Sequence, residues 1–135
     1  MRPYVVEKIV KEGGKEEVTK PEIIAIPISE KTSTKLKSML VSVVDNGFDK
    51  ARISGYDIAG KTGTAQIPDG KGGYLENEYI HSFVGFAPAF DPRFVILIKM
   101  DRPKGITFAA DSLSPTFKEI TQFLLNYYGI APTRR

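Results

Sequence analysis

The residues best equipped for chemistry in this 135-residue chain lie in one stretch, Gly55-Tyr-Asp-Ile-Ala-Gly-Lys-Thr-Gly-Thr-Ala-Gln66. It carries a cation, Lys61, two hydroxyls, Thr62 and Thr64, and glycines at 55, 60 and 63. An anion is the natural ligand of such a set, and two arrangements fit the letters. The first is a phosphate-cradling loop, G-x-x-x-x-G-K-[ST], matched by Gly55, Gly60, Lys61 and Thr62. Asp101, at the end of an apolar run, stands where such nucleotide binders carry a magnesium-binding Asp. That loop works only if a helix opens at the lysine and aims its N–H groups at the phosphate. Here Gly63 and Pro68 follow within two turns and interrupt such a helix. Upstream, Asp49-Lys-Ala-Arg-Ile-Ser54 is too polar for a buried parallel strand. The second arrangement is extended. In a strand Thr62 and Thr64 share a face, and Gly63 leaves backbone bare for close approach. Lys61 then brings charge to a carboxylate, and a backbone N–H polarises a carbonyl, a donor worth ~3–4 kcal/mol when the oxygen turns negative in a transition state.

The elements around this stretch must hold it extended. Tyr4 to Val10 alternates and is β-branched, and Glu22 to Ile28 is apolar but interrupted by Pro27, so residues 1–31 read as a lead-in whose two strands pair as a hairpin. With Ser29 or Thr32 as cap, Leu36, Met39, Leu40, Val43 and Val44 predict a helix over 32–46, and Gly47 suits a left-handed terminator. Residues 56–100 read as a three-stranded meander, with strands at Tyr56–Ile67, His81–Ala87 and Phe94–Met100. The loop Pro68–Gly73 is expected to be flexible, and Asp91-Pro92 supplies turn chemistry between the last two strands. Phe94 to Ile98 is apolar throughout, as for a strand covered on both faces. A C-terminal helix over 112–128 follows, with Ser112 or Ser114 as cap, Pro115 in the first turn and Gly129 beyond its end. The fold class is therefore α+β, an antiparallel sheet flanked by helices.

The extended arrangement is the K-T-G element of serine acyl-transferases that recognise penicillin. Gly60-Lys-Thr-Gly-Thr-Ala-Gln66 is followed by Ser82-Phe-Val-Gly-Phe-Ala-Pro-Ala89, Asp91-Pro-Arg93, Phe117-Lys-Glu-Ile120 and Tyr127-Tyr-Gly-Ile-Ala-Pro132. This series resembles the end of class B penicillin-binding proteins, the monofunctional D,D-transpeptidases of cell division and elongation, over nearly the whole chain. The resemblance implies a partial penicillin-binding transpeptidase (β-lactamase-like) fold. It also implies peptidoglycan stem peptides or β-lactams as ligands, no cofactor or metal, and a parent anchored in the bacterial membrane with this domain outside. By resemblance Lys61 supports proton transfer and attracts the substrate carboxylate, and Thr62 and Thr64 bind it through their hydroxyls. Gly63 opens the strand to substrate, and the Thr64 N–H is one of two oxyanion donors.

The family's nucleophile motif S-x-x-K and its S-x-N are absent: no serine here has Lys three residues later or Asn two later. The chain is expected to be a piece of such a domain, inactive alone, with the missing N-terminal part of the same domain as its partner. An uncovered sheet would favour a homo-oligomer or swapped dimer. A non-catalytic binding or scaffold role is the other expectation. Composition narrows the rest. Hydrophobic residues at 41% against 26% charged suit a packed core. The 19 Lys and Arg interleave with 16 acids as a solvated surface, not a nucleic-acid face. With no cysteine and only His81, thiolate chemistry and a histidine zinc site are excluded, and His81 is expected to be structural. No apolar run reaches membrane-span length and the start lacks a signal-peptide core, so the chain as given is expected to be soluble.

Overall fold

A computed structural model describes residues 1–134 as two compact units, Met1–Ser33 and Thr34 onward. In the first, β1 (Lys8–Val10) pairs antiparallel with β2 (Glu16–Val18), Ile9 opposite Glu17. The turn between them uses Gly13 and Gly14 at φ 89° and 78°, a region open to glycine at no steric cost. This corrects the expected hairpin: Glu22–Ile28 forms no strand, and the partner of 8–10 comes instead from the charged stretch after the glycines. Pro21 and Pro27 lack the N–H a ladder needs, whereas Glu16–Val18 is close enough in sequence to close a short turn. Every residue of both strands is exposed, so the pair Lys8–Glu16 at 2.6 Å adds little stability.

Helix α1 (Glu30–Gly47) begins in this unit and runs on into the second. Ser29 caps it, its hydroxyl accepting the Thr32 N–H at 3.2 Å. Val41 and Val44 are its buried residues. Gly47 is the last helical residue and does not turn left-handed; a 3-10 turn at Asp49–Ala51 carries the chain on.

The second unit is built on a three-stranded antiparallel sheet in the order β3 (Ala59–Pro68), β4 (Tyr74–Ala87), β5 (Phe94–Asp101). Cross-strand register puts Thr62, Phe83 and Ile98 in one row and Lys61, Val84 and Leu97 in the next, so these rows face opposite ways. The Phe83 face is covered by α2 (Ala109–Tyr127): Phe83 and Phe117, both wholly buried, stack at 4.4 Å. Val44, Ile58, Leu113 and Leu125 join them in the core. Gly60 and Gly85 lie opposite each other on this face because nothing larger fits. A Cβ on Gly60 would stand 2.7 Å from the Phe83 ring, and one on Gly85 2.8 Å from the Ala59 carbonyl.

The other face is open. Val95 and Leu97 are each 70% exposed, so Phe94–Ile98 is covered on one face rather than both. Its outward residues stay apolar although nothing among the described residues covers them.

α2 starts before the expected 112, with Phe108 at the N-cap, and Pro115 therefore lies inside the helix rather than in its first turn. At its end Gly129 takes φ 60°, and the Ile130 N–H reaches back to the Leu125 carbonyl at 2.9 Å. The loop after Pro68 is built rather than loose: Asp69 accepts the N–H groups of Lys71 at 2.7 Å and Gly73 at 2.9 Å.

Candidate functional site

Residues 59–68 form a continuous strand, so no helix opens at Lys61 and the phosphate-loop geometry is absent. β3 has one neighbour, β4, and is an edge strand among the described residues. Its carbonyls alternate. Those of Ala59 and Gly63 turn toward β4, where the Ala59 carbonyl crowds Gly85 and the Ser82 hydroxyl lies 3.5 Å from Gly63 O. The backbone groups of Thr62 and Thr64 accordingly turn to the free edge.

Lys61 lies along that edge. Its Nζ donates to the Thr62 carbonyl at 2.8 Å and sits 6.0 Å from the centre of the Phe48 ring. Phe48 in turn meets Phe83 edge-on at 6.0 Å, so the ammonium rests against a side chain anchored in the core. Thr62 and Thr64 share the α2 face, in the rows of Phe83 and His81, while Lys61 and Gly63 belong to the opposite face. Cation and hydroxyls thus meet only at the strand's rim, from two sides.

Two positions have duties the sequence reasoning missed. The Thr64 hydroxyl accepts the Ala109 N–H at 3.1 Å, binding the first turn of α2 and leaving its own proton free to donate. The positive end of that helix adds to the pull on the same oxygen. Gly63 also makes room for Ser82, since a Cβ there would stand 2.6 Å from the Ser82 hydroxyl.

His81 is wholly buried. Its Nε2 donates to the Thr107 carbonyl at 3.1 Å and its Nδ1 shares a hydrogen bond with the Ser112 hydroxyl at 2.8 Å. It fastens the loop before α2 to the sheet and does not reach the free edge. The signal was legible: His81 falls in phase with Phe83 and Gly85 on the inward face. The packing of Phe48 against Lys61 and Phe83 had no such signal, because its partners are distant in sequence.

Residues 1–122 match the family model described as penicillin binding protein transpeptidase domain. This chain belongs to that family. It is 41% identical to Stage V sporulation protein D of Bacillus subtilis, over 98% of this chain and 21% of that protein. It is 40% identical to penicillin-binding protein PbpB of Mycolicibacterium smegmatis, over 90% of this chain and 20% of the relative. Among solved structures, penicillin binding protein 3 of Mycobacterium tuberculosis, complexed with ampicillin, superposes with a TM-score of 0.81 at 29% identity. That likeness covers 96% of this chain and 31% of the other. The transpeptidase domain of Burkholderia pseudomallei penicillin-binding protein 3 gives 0.71 at 33% identity, covering 80% and 33%. The α+β architecture described above is thus part of the penicillin-binding transpeptidase fold, and the chain spans about a fifth of the length of these curated relatives. Among the described residues no helix is long and apolar enough to cross a membrane.

Proposed function

We propose that Lys61, Thr62, Gly63 and Thr64 form the carboxylate-binding strand of a D,D-transpeptidase that cross-links peptidoglycan by serine acyl transfer. The observation that carries this is the extended edge at 59–68, with the backbone of Thr62 and Thr64 directed outward and Lys61 beside it. An acyl donor ending in a carboxylate, whether a D-Ala-D-Ala stem peptide or a β-lactam, would draw the Lys61 ammonium from the Thr62 carbonyl to itself. The hydroxyl protons of Thr62 and Thr64 then donate to the carboxylate, and the Thr64 N–H serves as one oxyanion donor. Ampicillin in the M. tuberculosis relative supports a β-lactam as the surrogate ligand. No cofactor, metal or nucleic acid enters this chemistry.

The nucleophile comes from elsewhere in the transpeptidase domain, since no S-x-x-K or S-x-N occurs in these 135 residues. That remainder packs on the open face of the sheet, the face that Val84, Val95 and Leu97 share with Lys61. Uncovered, the same face favours self-association. The parent protein works outside the cytoplasmic membrane, anchored by a segment not among these residues.

Fluorescent penicillin tests the assignment. The 135-residue chain should remain unlabelled, while a longer protein carrying S-x-x-K and S-x-N should label. Lys61→Ala in that longer protein should remove the label without lowering its melting temperature. Label on the 135-residue chain, or an unchanged rate in Lys61→Ala, would refute it.

A further inference from the structure

The stretch that feeds β3 is held by the segment after α2. The Gly55 carbonyl accepts the N–H groups of both Thr133 and Arg134, at 2.8 and 3.0 Å. The Asp57 N–H donates to the Thr133 hydroxyl at 2.9 Å, and that hydroxyl donates to Asp57 Oδ2 at 3.0 Å. The Arg134 guanidinium completes the clasp. Its Nε donates to Asp57 Oδ1 at 2.5 Å, and its Nη1 and Nη2 grip Asp45 at 3.1 and 2.7 Å. The Arg134 side chain is 32% exposed, Asp45 29% and Asp57 18%, so the ion pairs are partly withdrawn from solvent. A planar fork on carboxylates fixes direction as well as distance, which a lysine cannot do.

Asp45 has no good reason to be where it is without this partner. It lies near the C-terminal end of α1, where the helix dipole repels an anion, and the last turn holds no basic residue. Asp57 stands two residues before Ala59, the start of β3, and its carbonyl takes the Ala89 N–H at 2.8 Å. The guanidinium therefore joins α1, the approach to β3 and, through Asp57, the β4–β5 connection.

β3 is an edge strand, and a strand paired on one side is free to fray or shift at its unpaired side. We propose that Arg134, acting through Asp45 and Asp57, is a positioning residue for the substrate strand: it pins the entry of β3 so that Lys61 and Thr64 keep a fixed place at the free edge. The effect on β3 stands by itself. Its effect on acylation rests on the function proposed above.

Amide hydrogen exchange on the 135-residue chain tests the first part. In Arg134→Ala, the hydrogen-bonded amides over 55–66 should exchange about ten- to a hundredfold faster, the usual net worth of charge-assisted hydrogen bonds. The β4–β5 ladder and Leu113–Leu125 of α2 should keep their rates. Asp45→Asn should give a smaller rise over the same residues, and adding it to Arg134→Ala should change nothing further. No acceleration over 55–66, or an equal rise throughout the sheet and α2, overturns the proposal. In the longer protein, Arg134→Ala should slow acylation by fluorescent penicillin at least fivefold, with Arg134→Lys recovering little. If Arg134→Ala leaves that rate unchanged while Lys61→Ala abolishes labelling, the clasp does not position the chemistry. If Lys61→Ala also leaves it unchanged, the proposed function fails and the exchange result stands apart.

Discussion

Thr64→Val separates the structural duty of this residue from its proposed chemistry. Valine keeps the branched shape and the β preference while deleting the hydroxyl. The Ala109 N–H, on a residue with no solvent exposure, would then lose its 3.1 Å acceptor at the first turn of α2. Removing a helix-capping oxygen costs about 0.5–2 kcal/mol, and leaving a buried donor unpaired about 1–3 kcal/mol, so the two ranges overlap near 1–2 kcal/mol. For a unit of roughly a hundred residues that lowers the melting temperature by roughly 5–10 °C. Thr64→Ser keeps the acceptor and should lose under about 0.5 kcal/mol. The assay is thermal unfolding of both variants, with exchange at the Ala109 amide as the local readout. A Thr64→Val chain as stable as the parent, with that amide still protected, would refute the capping role. The Thr64 hydroxyl would then serve substrate alone.

Other perturbations follow from the same packing and hydrogen bonding. Gly85→Ala places a methyl 2.6 Å from Phe117 Cε2 and 2.8 Å from the Ala59 carbonyl, and backbone on one side leaves little room to yield. Chemical denaturation should show a loss of about 1–3 kcal/mol or more, and a loss under about 0.5 kcal/mol would mean the β4–α2 contact is looser than drawn. The N–H groups of Lys71, foremost, and Gly73 hold the Asp69 carboxyl below its usual range. A depressed folded pKa stabilises the loop above the unfolded value of about 3.9, and that contribution fades as pH falls through the folded pKa. The Lys71 and Gly73 amide resonances should accordingly titrate below about pH 4, and titration at or above that value contradicts the bonds. Val95→Thr with Leu97→Thr puts residues of high β preference on the open face while removing apolar surface. Sedimentation velocity at rising concentration should show less self-association than the parent chain, and equal association places the contact elsewhere.

Local physics made some features readable from residue order. The apolar spacing of Leu36 to Val44 needs only the 3.6-residue period, and Ser29 caps the helix from one turn away. Gly63 and Pro68 after Lys61 argue against a helix because backbone restrictions act within a few residues, and the stretch is a strand. The series from Gly60 to Ala89 likewise carried the family, since a run of types in order survives without coordinates. What the alternation within β3 left open was which face is inside. Thr62 and Thr64 turn toward α2 because Phe83, opposite, packs on Phe117 from far along the chain. The early start of α2 depends on Thr64, whose hydroxyl lies 45 residues upstream of the N–H it accepts. Val95 and Leu97 read as core by composition, and only the placement of the helix on one side of the sheet left them in solvent. Arg134 is the extreme case: its partners, Asp45 and Asp57, lie more than 70 residues away. Charges that far apart carry no mutual signal until packing brings them within hydrogen-bond distance.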